Sequence, residues 1–431
     1  MQRSSSRAGL LLAAFVVLFV TACRDELPTA PGEDLFPRGT RAATHVLELP
    51  VGAFLQEIGR FTGYTSPRDA GYLLVADRFD EGLIAHSLAR FTGFPTSVTY
   101  SVGGVSQTDS VFVYGAGQLV APVDTAASAA AGEVQFQLWS LAEPWDPASV
   151  SWQRATDTTG VQIPWSVPGG TRGQLLSQVT WPPGDDLPRD TLSFALDSLT
   201  VEAMAAADFP GVVVTVNGTP ARFQLRRMTL RTTVHPASRP DTTLAQTIAE
   251  GPQTFIFTPE PPQTGDSWYV GGVRSARVLF RVDLGRRFPC PAATGVAPCA
   301  TAGDSLRLFD VALNQASLLL QPLPVPGGFR PLRPADLVLR RVGEPELGRQ
   351  APLGDPISQV TVPPDRFAAA TDSTVAIPLI GYLLRLPASD TTALSVALLA
   401  EPEGGAFGVA RFAPQPRLRL VYTLPLTRVS Q

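Results

Sequence analysis

Trp139-Ser-Leu-Ala-Glu-Pro-Trp145-Asp146-Pro-Ala-Ser149-Val-Ser-Trp152 holds three of the six tryptophans of this 431-residue chain. It follows Glu133-Val-Gln-Phe-Gln-Leu-Trp139, where apolar and polar residues alternate with period two. Successive side chains of a strand point to opposite faces, so this alternation predicts a strand with one buried side. The strand runs into a proline-punctuated segment in which Asp146 is placed to cap the turn Pro147-Ala148-Ser149. The tryptophans either pack a core and pin this long loop, or offer flat faces to a ligand.

The same alternation recurs in Thr44-His-Val-Leu-Glu-Leu, Leu83–Phe91, Ser110–Tyr114, Thr191–Leu196, Gly211–Val216 and Ala221–Leu225. Asn217-Gly218, between the last two, is a hairpin signal because both positions accept positive φ. With 41 Pro and 37 Gly interrupting the chain, many short strands are expected and helices stay minor, around Leu199–Asp208 and Leu379–Leu386. The fold class is therefore all-β, a sandwich or barrel.

The layout of the first half returns at an offset of roughly 190 residues, too long for a solenoid repeat. Thr254-Phe-Ile-Phe-Thr stands where Thr44-His-Val-Leu-Glu stood, and Ala276–Leu284 where Leu83–Phe91 stood. Two tandem domains are expected, residues 41–243 and 244–431, parted in the Pro-, Asp- and Thr-rich stretch His235–Pro252. Cys290 and Cys299 flank a short loop with Gly and two prolines; in an oxidising compartment they are expected to form a disulfide.

The N-terminus has Arg3 and Arg7, an apolar run from Ala8 to Val20, then Thr21-Ala22-Cys23. This is the pattern of a secretory signal, and it is shorter than the ~20 residues of a membrane-spanning helix. Val20-Thr21-Ala22-Cys23 resembles the lipobox of bacterial lipoproteins. The resemblance implies a signal peptide over 1–22, a lipidated Cys23 and anchorage to a membrane. Arg24 stands where an Asp would favour retention at the inner membrane, so the resemblance implies the outer membrane. Residues 23–40, rich in Pro, Gly and charge, read as a flexible tether.

Four stretches taken together resemble the DNRLRE-type domains of secreted and surface proteins, some of which are grouped with carbohydrate-binding modules. They are Trp268-Tyr-Val-Gly-Gly272, Leu279-Phe-Arg-Val-Asp-Leu284, Trp145-Asp-Pro-Ala-Ser-Val-Ser-Trp152 and Pro416-Arg-Leu-Arg-Leu-Val-Tyr422. Trp268 stands where the family has leucine. Each half carries only part of the set, and the second half lacks the Trp-Asp…Trp element. The resemblance implies two jelly-roll-like β-sandwich domains and no single activity.

The chemistry available is narrow. All 34 basic residues counted as Lys or Arg are arginine, so no lysine can serve as Schiff base, catalytic base or phosphate-loop residue. A net charge of −4 with no basic cluster argues against nucleic acid as a partner. The three histidines, His45, His86 and His235, lie in strand patterns or before a proline and read as structural. No zinc or nucleophile-elbow motif is present. Asp185, Asp186 and Asp190 could offer calcium ligands, but without calcium-loop spacing they read as a solvated acidic turn. No catalytic residue, metal or cofactor is expected.

Trp165 and Trp181 lie among Pro and Gly in loop-like sequence, where binding residues concentrate, and are the ligand-contact candidates. The expected function is a surface-anchored, non-catalytic binding or adhesion lipoprotein with glycan as ligand class. The alternatives are an envelope-assembly scaffold and a polysaccharide-cleaving enzyme, which would need two facing carboxylates.

Overall fold

A computed structural model describes residues 44–424 apart from 81, 183–189, 263–264, 284, 292–298, 302, 327 and 386–392. The leader, Cys23, the tether and the Asp185-Asp186 pair lie outside the described residues. The chain is all-β, with antiparallel sheets, as its alternation requires.

In chain order the strands up to the midpoint are β1 (Thr44–Pro50), β2 (Leu55–Phe61), β3 (Leu73–Phe79), β4 (Leu83–Gly93), β5 (Val98–Val102), β6 (Val105–Asp109), β7 (Phe112–Ala130), β8 (Val134–Leu141), β9 (Arg154–Thr158), β10 (Val161–Pro164), β11 (Arg172–Trp181), β12 (Thr191–Leu196), β13 (Val212–Gly218), β14 (Ala221–Leu225), β15 (Thr229–Pro236) and β16 (Leu244–Thr258). A helix, α1 (Ser198–Ala205), follows β12; the Asp197 carboxylate caps it by accepting from the Thr200 amide. Hydrogen bonding runs β11–β8–β13–β4–β16–β15–β7–β14–β3, with β12 on β7 and a further β3–β4 pairing.

Two long strands change layer. The first part of β7 pairs with β15 and β12, and its last part with β14. The first part of β16 pairs with β15, and the rest with β4. Between the layers lies one core containing Phe136, Leu138, Phe194, Val214, Phe223 and Leu230. β8 keeps period two: Val134, Phe136 and Leu138 face this core, while Leu141 faces the opposite side of the sheet.

The remaining strands are β17 (Trp268–Gly271), β18 (Arg277–Val282), β19 (Arg287–Pro289), β20 (Ser305–Arg307), β21 (Ala312–Leu320), β22 (Ala335–Val342), β23 (Leu353–Val362), β24 (Val375–Pro378), β25 (Leu394–Ala400), β26 (Val409–Phe412) and β27 (Arg417–Thr423). They build a five-stranded sheet β2–β18–β25–β22–β23, a four-stranded sheet β1–β27–β21–β24 and the ladder β17–β26. Trp268 is fully buried and stacks on Phe280 at 5.6 Å, and its indole N–H donates to Glu57 at 2.8 Å.

The expected boundary at 243/244 does not separate the sheets. The stretch His235–Pro252 lies within the antiparallel pair β15–β16, both strands of the first sheet system. Conversely β2 pairs with β18, and Glu48 of β1 binds Arg417 of β27 at 2.7 Å. In sequence the first sandwich, residues 73–258, thus lies between described segments on either side, β1–β2 and β17–β27, that form the other sheets. The segment expected to open the second half, Thr254–Thr258, completes the first sandwich. The division into compact units is different again. Residues 47–286 and 315–420 form the larger unit; of the described residues 44–46, 287–314 and 421–424 form the smaller. In the smaller unit Cys290 and Cys299 are joined as a disulfide, Cα atoms 5.7 Å apart, beside the short ladder β19–β20.

Asn217-Gly218 does not make the expected hairpin. β13 pairs with β8 along its length and with β4 at Val212–Val214, and both edges of β14 are taken by β7 and β3, so the two strands do not pair with each other.

Candidate functional site

The opening stretch folds as a cover on the outer face of the first sheet. Trp145, Trp165, Leu141 and Ala155 pack there against Leu88, Val213 and Ile256, with Trp139 and Trp152 half-buried alongside. Asp146 does cap its turn: its carboxylate accepts from the Ser149 hydroxyl at 2.5 Å and the Ala148 amide at 3.3 Å. Those bonds, the hydroxyl foremost, lower its pKa. The indole of Trp145 donates to the Pro210 carbonyl at 2.9 Å, and Arg90 lies over its ring at 5.4 Å.

Trp165 is not a ligand platform. It is 4% exposed, and its indole N–H is spent on the Ser151 carbonyl at 3.0 Å. Its proline-rich flanks suggested a loop surface, but hydrophobic burial on the sheet face overrides them. Trp181 differs. It ends β11 half-buried, meeting Phe136 and Phe223 at near-perpendicular ring angles, and forms one wall of an open recess of about 550 Å³.

The recess owes its shape to an irregularity in β7. Opposite β14 the register jumps from Ala129↔Arg222 to Asp124↔Gln224, so residues 125–128 bulge from the ladder. Asp124 holds the bulge, accepting from the Ala127 amide at 3.2 Å through its carboxylate and from the Ser128 hydroxyl at 2.7 Å through its carbonyl. Phe223 and Trp181 supply an apolar wall; the Thr125 hydroxyl and the exposed Glu133 carboxylate stand at the rim. Among the described residues Glu133 has no ion-pair partner. Neither Glu133 nor the bulge was singled out by the sequence, because Glu133 reads only as the polar start of an alternating strand and Thr125-Ala-Ala-Ser128 is a run of small residues without alternation.

The same bulge contributes Ala127 to a second cavity of about 490 Å³, which shares no lining residue with the recess. Arg222 lies in its wall, 2% exposed, together with Gln224 and Arg333. The Arg222 side chain donates from Nη1 to the carbonyls of Gly328 at 2.5 Å and Arg330 at 3.0 Å. Its guanidinium stands over the rings of Phe79 at 5.1 Å and Phe407 at 5.6 Å. Burial pulls its pKa down to about 9.

Of the histidines, His86 is buried, its Nδ1 2.6 Å from the Gly169 carbonyl and its ring 4.8 Å from Trp152. Burial depresses its pKa to about 4. Among the described residues no group of three or more His, Cys, Asp or Glu side chains could hold a metal ion, and no helix is long and apolar enough to cross a membrane.

No protein-family profile matches the chain, and no curated protein matches it. Two solved structures show low similarity. The C-terminal domain of the Streptococcus pyogenes antigen I/II-family protein AspA is 9% identical with a TM-score of 0.14, over 83% of this chain and 92% of that one. A triple jelly-roll protein of an archaeal virus turret is 10% identical with a TM-score of 0.10, over 82% and 81%. Scores this low carry no argument about fold or function.

Proposed function

We propose that the protein is a surface-anchored, non-catalytic glycan-binding lipoprotein whose ligand contacts the Trp181 recess. The observation that carries the reading is the half-buried Trp181 indole in an open recess edged by a hydroxyl and by a carboxylate with no ion-pair partner among the described residues. An aromatic wall suits the C–H face of a sugar ring, and Thr125 and Glu133 suit its hydroxyls. The lipobox-like Val20–Cys23 supports a lipid anchor, and Arg24, standing where an Asp would favour inner-membrane retention, supports the outer membrane as its place.

The test is a glycan-array screen of residues 41–431, followed by calorimetry on the best hit. Trp181→Ala and Glu133→Gln are expected to weaken binding by about tenfold or more, near 1.4 kcal/mol. Trp165→Ala is expected to cost ~3–5 kcal/mol of stability and to leave the affinity of the folded protein unchanged. No hit, or a hit indifferent to Trp181→Ala, would sink the reading. Mass spectrometry of the mature N-terminus checks the anchor; an unmodified Cys23 removes it.

A purely structural envelope role is the second reading. The packing of Trp145 and Trp165 favours it, since most of the first-half aromatic surface is spent on the fold.

A further inference from the structure

We propose that the Arg222 cavity binds the carboxylate of a small organic acid. Arg222 is a buried cation with no ion-pair partner among the described residues. A desolvated guanidinium is costly unless paired, and its two carbonyl acceptors do not neutralise it.

Among the described residues the neighbouring carboxylates are already engaged. Asp80 pairs with Arg330, and Glu401 with Arg340 at 2.5 Å. Asp336 accepts from the Thr361 hydroxyl at 2.5 Å, at an exposed position. Asp124 faces the other lining arginine, Arg333, at 3.6 Å. The buried positive charge in the cavity is therefore Arg222 itself.

A planar carboxylate matches the fork of a guanidinium and supplies the missing single negative charge. A phosphate dianion fits less well, because its second charge would fall beside the carboxylates of Asp336 and Glu401 that line the same cavity. A volume of about 490 Å³ suits a small molecule, with Gln224 available for a second polar contact. This site and the Trp181 recess share no lining residue, so either can fail alone.

The test is calorimetric titration of the full chain in detergent with the monocarboxylates acetate, propionate and lactate, with inorganic phosphate as the competing anion. Saturable binding of propionate or lactate is expected, with phosphate weaker. Arg222→Met should abolish it, but Arg222 also holds the Gly328 and Arg330 carbonyls, so its loss risks the fold. Ala406→Trp, at the cavity wall and itself a partner in neither of those bonds, is the second variant; it should fill the cavity and weaken binding by about tenfold or more. No saturable carboxylate binding up to about 20 mM would overturn the proposal, as would phosphate binding more tightly. Binding unchanged in a folded Ala406→Trp protein would overturn the location.

Discussion

At the scale of single residues, environment divides side chains of one type into different roles. Trp165 and Trp181 both sit among prolines, yet one is sealed against a sheet face and the other forms the wall of an open recess. His86 makes the same point through its charge. Burial beside Trp152 and Gly169 keeps the imidazole neutral in the folded protein. Its folded pKa of about 4 lies below the ordinary value of 6.5, so the unfolded chain binds the proton more readily. Stability from this group is complete above about pH 6.5 and is lost as pH falls toward 4, at most ~3 kcal/mol across that window. Denaturant melts of the wild type and His86→Gln at pH 7, 5.5 and 4.5 should show the stability gap between the two proteins shifting by that increment. A gap constant with pH would contradict the assignment.

At the scale of elements, the Trp139–Trp152 segment is held by contacts that allow no side chain at Gly211. Its φ is +120°, and a Cβ there would come within 2.6 Å of the Ala89 carbonyl oxygen and 3.3 Å of the Trp145 indole nitrogen. The Gly211 carbonyl also accepts from the Leu141 amide at 2.9 Å. Gly211→Ala is expected to lower the unfolding free energy by ~2 kcal/mol or more, with backbone strain and the clash both contributing. Chemical denaturation read by tryptophan fluorescence reports it directly, because Trp145 is the neighbour displaced. The β7 bulge belongs to this scale too. Its residues 125–128 leave the ladder, and in doing so wall one cavity and contribute Ala127 to the other.

At the scale of the whole molecule, the nesting of the first sandwich predicts which fragments fold. Every strand of that sandwich lies within 73–258, so a fragment 62–262 should unfold cooperatively on its own. A fragment 41–243 loses β16, and with it the core residue Ile248 and the partner of both β15 and β4. It should lack a cooperative transition by circular dichroism and expose apolar surface to a dye; cooperative folding of 41–243 with failure of 62–262 would contradict the topology. The sequence by itself determined the period-two strands, the all-β class, the Cys290–Cys299 pairing and the Asp146 turn, because these rest on local spacing and backbone preference. Only the tertiary structure decided which strands share a sheet. Thr44–Leu49 and Thr254–Thr258 both read as short strands from their residues, and a strand pattern shows which faces are buried without naming the neighbouring strand. The same holds for Asn217-Gly218, whose turn chemistry is local while the occupied edges of β13 and β14 are not. Burial of Trp165, the opening beside Trp181 and the lack of an ion-pair partner for Arg222 among the described residues all depend on side chains distant in the chain, and no local pattern encodes them.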